Sequence, residues 1–213
     1  MRARLLLTIV ALAALSTVAA AAAAPDEGLM SAPLQDTRQP VTSFAVPFSS
    51  HPDIELNDKR DVVDAYHERF LPQFNVDHGW TGSVATCTAG TTSQAYEDAT
   101  LETLNYFRAM AGLPAVTFDN TFDAKAQEAA LMMKARGTFE GVDPHNPDPS
   151  WDCYSADGAE AAGSSNLFLG SAGPAAIYGY VWDFGTGNES VGHRRWILDP
   201  EALTMGTGST DSS

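Results

Sequence analysis

Basic residues are scarce: 12 Lys and Arg stand against 27 Asp and Glu, for a formal net charge of −15. A phosphate backbone would be repelled, so nucleic acid is excluded as a partner, and an anionic membrane surface is disfavoured by the same field. No long apolar run follows Ala24, which excludes a multi-span membrane protein. The chain holds no HExxH, GxSxG, P-loop or GxGxxG, so nothing independent points to a zinc protease, a serine hydrolase or a nucleotide enzyme. Cysteine is limited to Cys87 and Cys153, neither in a CxxC pair, which argues against a thiolate metal site.

What is present begins with an address. Arg2 and Arg4 precede an apolar run from Leu5 to Leu15, and Ser16 and Thr17 lead into an alanine tract with several A-x-A sites. This reads as a secretory signal peptide over residues 1–24, against the alternative of a retained anchor helix, for which the run is short and lacks a stop-transfer flank. Its removal leaves a more acidic chain, secreted and without a membrane span. An even cysteine count in an exported chain predicts a Cys87–Cys153 bridge, the alternative being two buried free thiols.

Residues 25–56 carry repeated Pro and Ser without a sustained period and read as an extended or disordered linker. Residues 57–92 read as an N-terminal extension with one short helix: Val62, Val63, Tyr66 and Phe70 recur at helical spacing before Pro72. Gly79 to Thr92, rich in Gly and Thr, reads as an ordered loop. From 93 to 213 the pattern is that of one domain. A helix from Ser93 or Ala95 stops at Gly112 and Pro114, and a second runs from about Thr121 to Arg136. Pro174 opens a third helix reaching about Asp183, and a fourth spans about Ser190 to Leu198. Short strands are expected at Ala115–Phe118, Asn166–Leu169 and Leu203–Met205. Helices separated by short strands and long loops indicate an α+β domain of layered type.

The segment LNYFRAMAGLPAVTFDNTFDAKAQEAALMMKARG, Leu104 to Gly137, resembles the opening of the CAP superfamily of cysteine-rich secretory proteins, venom antigens and pathogenesis-related proteins. Asn105, Arg108, Gly112 and Leu113 carry the match. His145 followed by PDPSWDCYS, GSSNL at Gly163 to Leu167, VGHRRWIL at Val191 to Leu198, and GTG at Gly206 to Gly208 continue it in order, in a form similar to a bacterial secreted branch. The resemblance covers about Ser93 to Ser209. It implies a three-layer α-β-α sandwich, a central antiparallel sheet between helices; the family usually continues past the GTG turn with one or more strands, so either the sheet lacks C-terminal strands here or the sequence is a fragment.

The resemblance also implies a central cleft. Metal-binding members present two histidines and two glutamates there, and His145 and His193 fall at the histidine places. Ser165 stands where the family's GEN motif has its glutamate, and the second glutamate has no clear counterpart, Asp183 being the nearest acid. Glu160 and Glu189 are further carboxylate candidates. His145, His193 and Asp183 are therefore candidates for a divalent metal, Zn²⁺ by imidazole chemistry, against the reading that each histidine satisfies local hydrogen bonds. Ser165 as a nucleophile would also need an orienting acid and an oxyanion hole, and Ser164 and Ser165 more simply make a turn into Asn166 and Leu167. Arg194 and Arg195, flanked by Trp196, read as an anion site or an internal salt bridge. Trp151, Trp182 and Trp196 with Tyr154, Tyr178 and Tyr180 read as core or as the lining of an apolar groove for a lipid or sterol. His51, His67 and His78 lie outside the resemblance and read as surface residues, and Asn188 to Ser190 is a glycosylation sequon.

The expected function is a secreted, noncatalytic domain presenting its cleft to a small ligand, a divalent metal or an extracellular partner, lipid or protein. The alternatives are a metal-dependent hydrolase using His145 and His193, and a wall-associated adhesive module.

Overall fold

The structure, a computed structural model, describes residues 54–186 and 188–211. The expected signal peptide and nearly all of the linker lie outside the described residues. Helix α1 (Lys59–Ala65) starts where Asp58 accepts the Arg60 N–H. It runs on through a wider turn at Tyr66–Phe70 into a tight one at Leu71–Asn75. The turn therefore continues past Pro72 because that proline sits in the first residues of the tight segment, where no N–H is needed.

Helix α2 (Gln94–Met110) is capped by Ser93, whose hydroxyl accepts the Tyr96 N–H, and α3 (Asn120–Arg136) by Asp119, which accepts from Thr121 and Phe122. A helix not anticipated from the sequence, α4 (Ala156–Ala162), follows. Its alanines and central Gly158 give no strong period, but Ser155 caps it, and Gly158 lies so near α3 that a Cβ there would meet the Ala129 nitrogen at 3.1 Å. Helices α5 (Gly173–Trp182) and α6 (Gly192–Ile197) fall close to expectation.

Strand β1 (Thr117–Phe118) pairs with β2 (Thr204–Met205), and the two run parallel, Thr117 opposite Thr204. The resemblance implied an antiparallel sheet. The chain joins these two strands through four helices, a connection long enough for them to run in the same direction. No strand forms at Asn166–Leu169: the Asn166 carbonyl accepts the Tyr180 hydroxyl, and its side chain donates to the His193 carbonyl, so side chains take the place of a ladder.

Three apolar clusters define the layers. Leu104, Val116, Ile177 and Ile197 join α2, α5 and α6, with Phe118 and Met205 packed against them. Ala129, Met132, Met133, Ala161 and Ala162 join α3 to α4. The strand pair lies between these two helical layers, an α+β arrangement of the layered type. On the outside of α2, Ile54, at the end of the expected linker, and Ala65 and Phe70 of the extension cover Tyr106 and Ala109. The ordered loop, pinned by reciprocal Ser83–Thr88 backbone bonds, is joined to the domain by the Cys87–Cys153 disulfide.

Two fully or largely buried polar residues fasten β1 and the tail to α2. Asn105 donates to the Val116 carbonyl at 3.0 Å and accepts the Val116 N–H at 2.8 Å, standing in for a neighbouring strand. Arg108, with no solvent exposure, donates to the carbonyls of Pro114, Ile197, Asp199 and Ala202. Burial lowers its pKa, opposed by the charge of Asp199. Gly206 and Gly208 let the tail lie on α3, for a Cβ on Gly208 would meet the Ala126 carbonyl carbon at 2.2 Å.

Candidate functional site

Five residues from the end of α4 onward, Ala162 to Asn166, organise the site, because both candidate histidines are tied to them. His145 follows the proline-rich turn after α3, its own N–H held by Asp143. Its Nδ1 lies 2.8 Å from the Ala162 carbonyl oxygen. A carbonyl only accepts, so Nδ1 carries the proton and Nε2 keeps its lone pair in the neutral ring. His193 sits in the first turn of α6, and the Asn166 side chain donates to its carbonyl at 3.1 Å. The two residues, far apart in sequence, thus reach one turn, His145 by its ring and His193 by its backbone carbonyl.

His193 is the more elaborately held. Its Nδ1 is 2.8 Å from Asp183 Oδ1, and its ring stacks on Tyr180 with 5.5 Å between centroids and 20° between planes. Asp183 is almost wholly buried, and its other oxygen accepts the Arg194 N–H while Asn188 donates to Oδ1. Burial alone would raise the Asp183 carboxyl. The bonds from His193, Arg194 and Asn188 outweigh it and hold that pKa below the ordinary value. Burial pushes the Tyr180 phenol up. Asp183 and Val191 both adopt left-handed backbone angles, φ 47° and 44°, conformations that non-glycine residues, and β-branched valine most of all, hold only when neighbours fix them.

Asp183 therefore stands behind His193 as the group that orients its ring, with its oxygens spent there. Among the described residues no three His, Cys, Asp or Glu side chains are grouped to hold a metal ion. The donor set does not fit a shell of three ionisable ligands, and no step is derived through a metal. Of the other carboxylate candidates, Glu160 lines the same cavity as His145 but pairs with Lys125 at 2.7 Å, and Glu189 is exposed.

Ser165 makes no hydrogen bond to either imidazole, and Ser164 donates to the Glu160 carbonyl, closing the turn. Asn166 has a second part to play. Its Oδ1 is buried and has no hydrogen-bond partner among the described residues. Arg194 meets neither an anion nor an acid: it donates to the carbonyls of Val181 and Trp182 and caps α5, while Arg195 is exposed.

The aromatic residues do not form one groove. Tyr180 and Trp196 line a cavity of about 930 Å³ between the helical layers, together with His145, Ser165 and Asn166. Trp151 and Tyr154 pack on the α3–α4 cluster instead, with Arg136 over the Trp151 ring at 5.3 Å. Trp182 and Tyr178 are on the surface, Trp182 56% exposed and tilted against Phe184 with 4.6 Å between ring centroids. His67 is exposed, and His78 accepts the Trp80 N–H. His51 lies outside the described residues. Asn188 of the sequon is engaged by Asp183.

Sequence reasoning passed over Gln127. This buried residue of α3 donates to the carbonyls of Ala89 and Ser209 and accepts the Ser209 N–H, so it ties the loop and the tail to one helix. A lone amide among the alanines of the buried face was its only sign.

The CAP family model, cysteine-rich secretory protein family, matches residues 101–213, more than half of the chain and all of the site described above. No curated protein and no solved structure gives a match. The chain belongs to the cysteine-rich secretory protein (CAP) family.

Proposed function

We propose that this CAP domain is exported and works by binding rather than by turnover. The observation that carries the reading is the pinning of both imidazoles through Nδ1, which turns each neutral ring's Nε2 into an acceptor; Asn166, whose Oδ1 has no partner among the described residues, bonds the His193 backbone and lines the same cavity as His145. A set of acceptors in a strongly acidic protein suits a small ligand rich in hydrogen-bond donors, or a cation. Zn²⁺ is the simplest such probe, and with two imidazoles and no third ionisable ligand its affinity should be weak. The basic and apolar N-terminus of the sequence, the disulfide and the family all support export.

A metal-dependent hydrolase is the second reading, favoured by the buried Asp183 behind His193, an arrangement that also orients a general base. Calorimetric titration with Zn²⁺, and turnover of ester and peptide substrates, separate the two when wild type is compared with His145→Ala, His193→Ala and the double variant. Weak Zn²⁺ binding lost in the double variant, with no histidine-dependent turnover, is the expected result. Unchanged binding in the double variant removes both residues from the site, and turnover abolished by either substitution replaces this reading with the hydrolase. Release of the protein wholly into the medium would set aside a wall-held adhesive role.

A further inference from the structure

Helix α5 has two faces. Ile177 and Tyr180 turn inward to the cavity, whereas Tyr178 and Trp182, one turn apart, turn outward. The ten residues of α5 include no charged side chain, so nothing on the outer face marks it for water. Beside it runs a second aromatic row: Tyr66, Phe70 and Phe74 follow at four-residue spacing through the wider and tighter turns after α1. Phe70 is buried against α2. Ring contacts run unbroken from Tyr66 through Phe70, Phe74, Tyr178 and Trp182 to Phe184, with 4.6 to 6.4 Å between successive centroids. Apart from Phe70, these rings are 40% to 65% exposed. At about 150–250 Å² for each aromatic side chain, they leave roughly 370–610 Å² of apolar surface in water, before the exposed Val63 and Leu71 are added. That reaches the top of the range for the largest patch of an ordinary monomer, about 300–600 Å².

We propose that this aromatic face is the contact through which two copies of the chain form a symmetric dimer. Two observations select a second copy as the occupant. The first is area. Roughly 60% of an interface is apolar, so about 500 Å² of apolar surface on each copy corresponds to about 800 Å² in all, the share of each partner in a stable interface of standard size. The second is charge. Lys59 and Arg60 at the start of α1, and Asp64 and Glu68 further along the same stretch, are exposed and make no ion pair among the described residues. A two-fold axis across this stretch lays it antiparallel on its copy, so the bases of each face the acids of the other. The rings of Phe74, Tyr178, Trp182 and Phe184 are turned 42° to 81° from one to the next, which gives a sugar no flat platform. The acidity of the whole chain opposes self-association. At physiological ionic strength, however, exposed charges more than about 8 Å apart are largely screened, and those beside the contact are of both signs. The proposal is independent of the ligand reading, since none of these residues borders the cavity.

Sedimentation velocity of the intact exported chain, at about 1–100 µM and physiological salt, should show twice the monomer mass, with a dimer fraction that rises with concentration. Trp182→Ser with Phe184→Ser should weaken dimerisation at least about tenfold. Lys59→Glu with Arg60→Glu, and separately Asp64→Lys with Glu68→Lys, should each weaken the dimer of like copies, whereas an equimolar mixture of the two charge variants should form a heterodimer about as tight as the wild-type dimer. A wild type that stays monomeric across this range overturns the proposal. So does a dimer that keeps its affinity in the Trp182, Phe184 variant, which would place the contact elsewhere. A mixture of charge variants that forms no heterodimer overturns the two-fold pairing and the proposal with it. A misfolded chain is not rescued by its counterpart, so the wild-type mass and the mixture decide the question should the aromatic variant fold poorly.

Discussion

Arg108 offers the sharpest test of how this fold is held. Its guanidinium is fully buried and donates four hydrogen bonds, 2.8 to 3.0 Å, all to main-chain carbonyls: Pro114 ahead of β1, Ile197 at the end of α6, and Asp199 and Ala202 ahead of β2. Arg108→Met keeps much of the volume and removes every donor. Bonds from a charged donor are worth roughly 1.5–3 kcal/mol each, but relief of the buried charge gives part of this back. Breaking such a buried cluster by removing one partner costs about 3–5 kcal/mol in comparable cases. Urea denaturation followed by far-UV circular dichroism should show that loss as a lower midpoint with unchanged slope, and Tm should fall by about 6–20 °C. Arg108→Lys, which keeps the charge but loses the planar fork, should fall between the two. A loss below about 0.5 kcal/mol in Arg108→Met, the range of ordinary surface substitutions, would refute the reasoning.

Three further outcomes are expected. Asn105→Ala leaves the Val116 N–H and C=O unpaired in the interior and should cost about 2–4 kcal/mol in the same urea experiment. Gly208→Ala, whose Cβ would sit 2.2 Å from the Ala126 carbonyl carbon, should lift the tail from α3 and be read as faster amide exchange at Ser209, whereas Gly141→Ala, with open space at its Cβ, should leave that amide unchanged. The Asp183 carboxyl is held below its ordinary pKa, so its stabilisation is fully present above the unfolded value near 3.8 and is lost as pH falls through the folded one. Asp183→Asn should therefore be less stable than wild type at pH 7, with the gap closing in strong acid; a gap that stays constant with pH would contradict the assignment.

Helix positions were legible in the sequence because α2 carries an apolar stripe and both α2 and α3 have capping residues and a glycine at or just past the end. Helix α4 was not, since alanine and glycine signal neither period nor stop, and its place is set by close contact with α3. The strand direction was hidden because two-residue strands carry no pattern of their own, and the long connection through four helices admits either direction. At the site, His145 and His193 could be named from the order of motifs. The reading of Asp183 as a ligand and of Arg194 as an ion-pair former rested on charge alone. In the fold Asp183 holds the far side of the imidazole and Arg194 caps carbonyls, arrangements set by tertiary contacts that residue type and spacing do not encode. Gln127 and Arg108 share that lesson: each binds main-chain groups from segments far apart in sequence.

The claim that both imidazoles are fixed through Nδ1 and offer Nε2 as an acceptor is tested most directly by a long-range ¹H–¹⁵N NMR spectrum of the ring nitrogens of His145 and His193, taken at a pH where both rings are neutral. The account predicts the Nδ1–H tautomer for each, with Nε2 unprotonated. Rings found as the Nε2–H tautomer, or exchanging freely between the two, would contradict it.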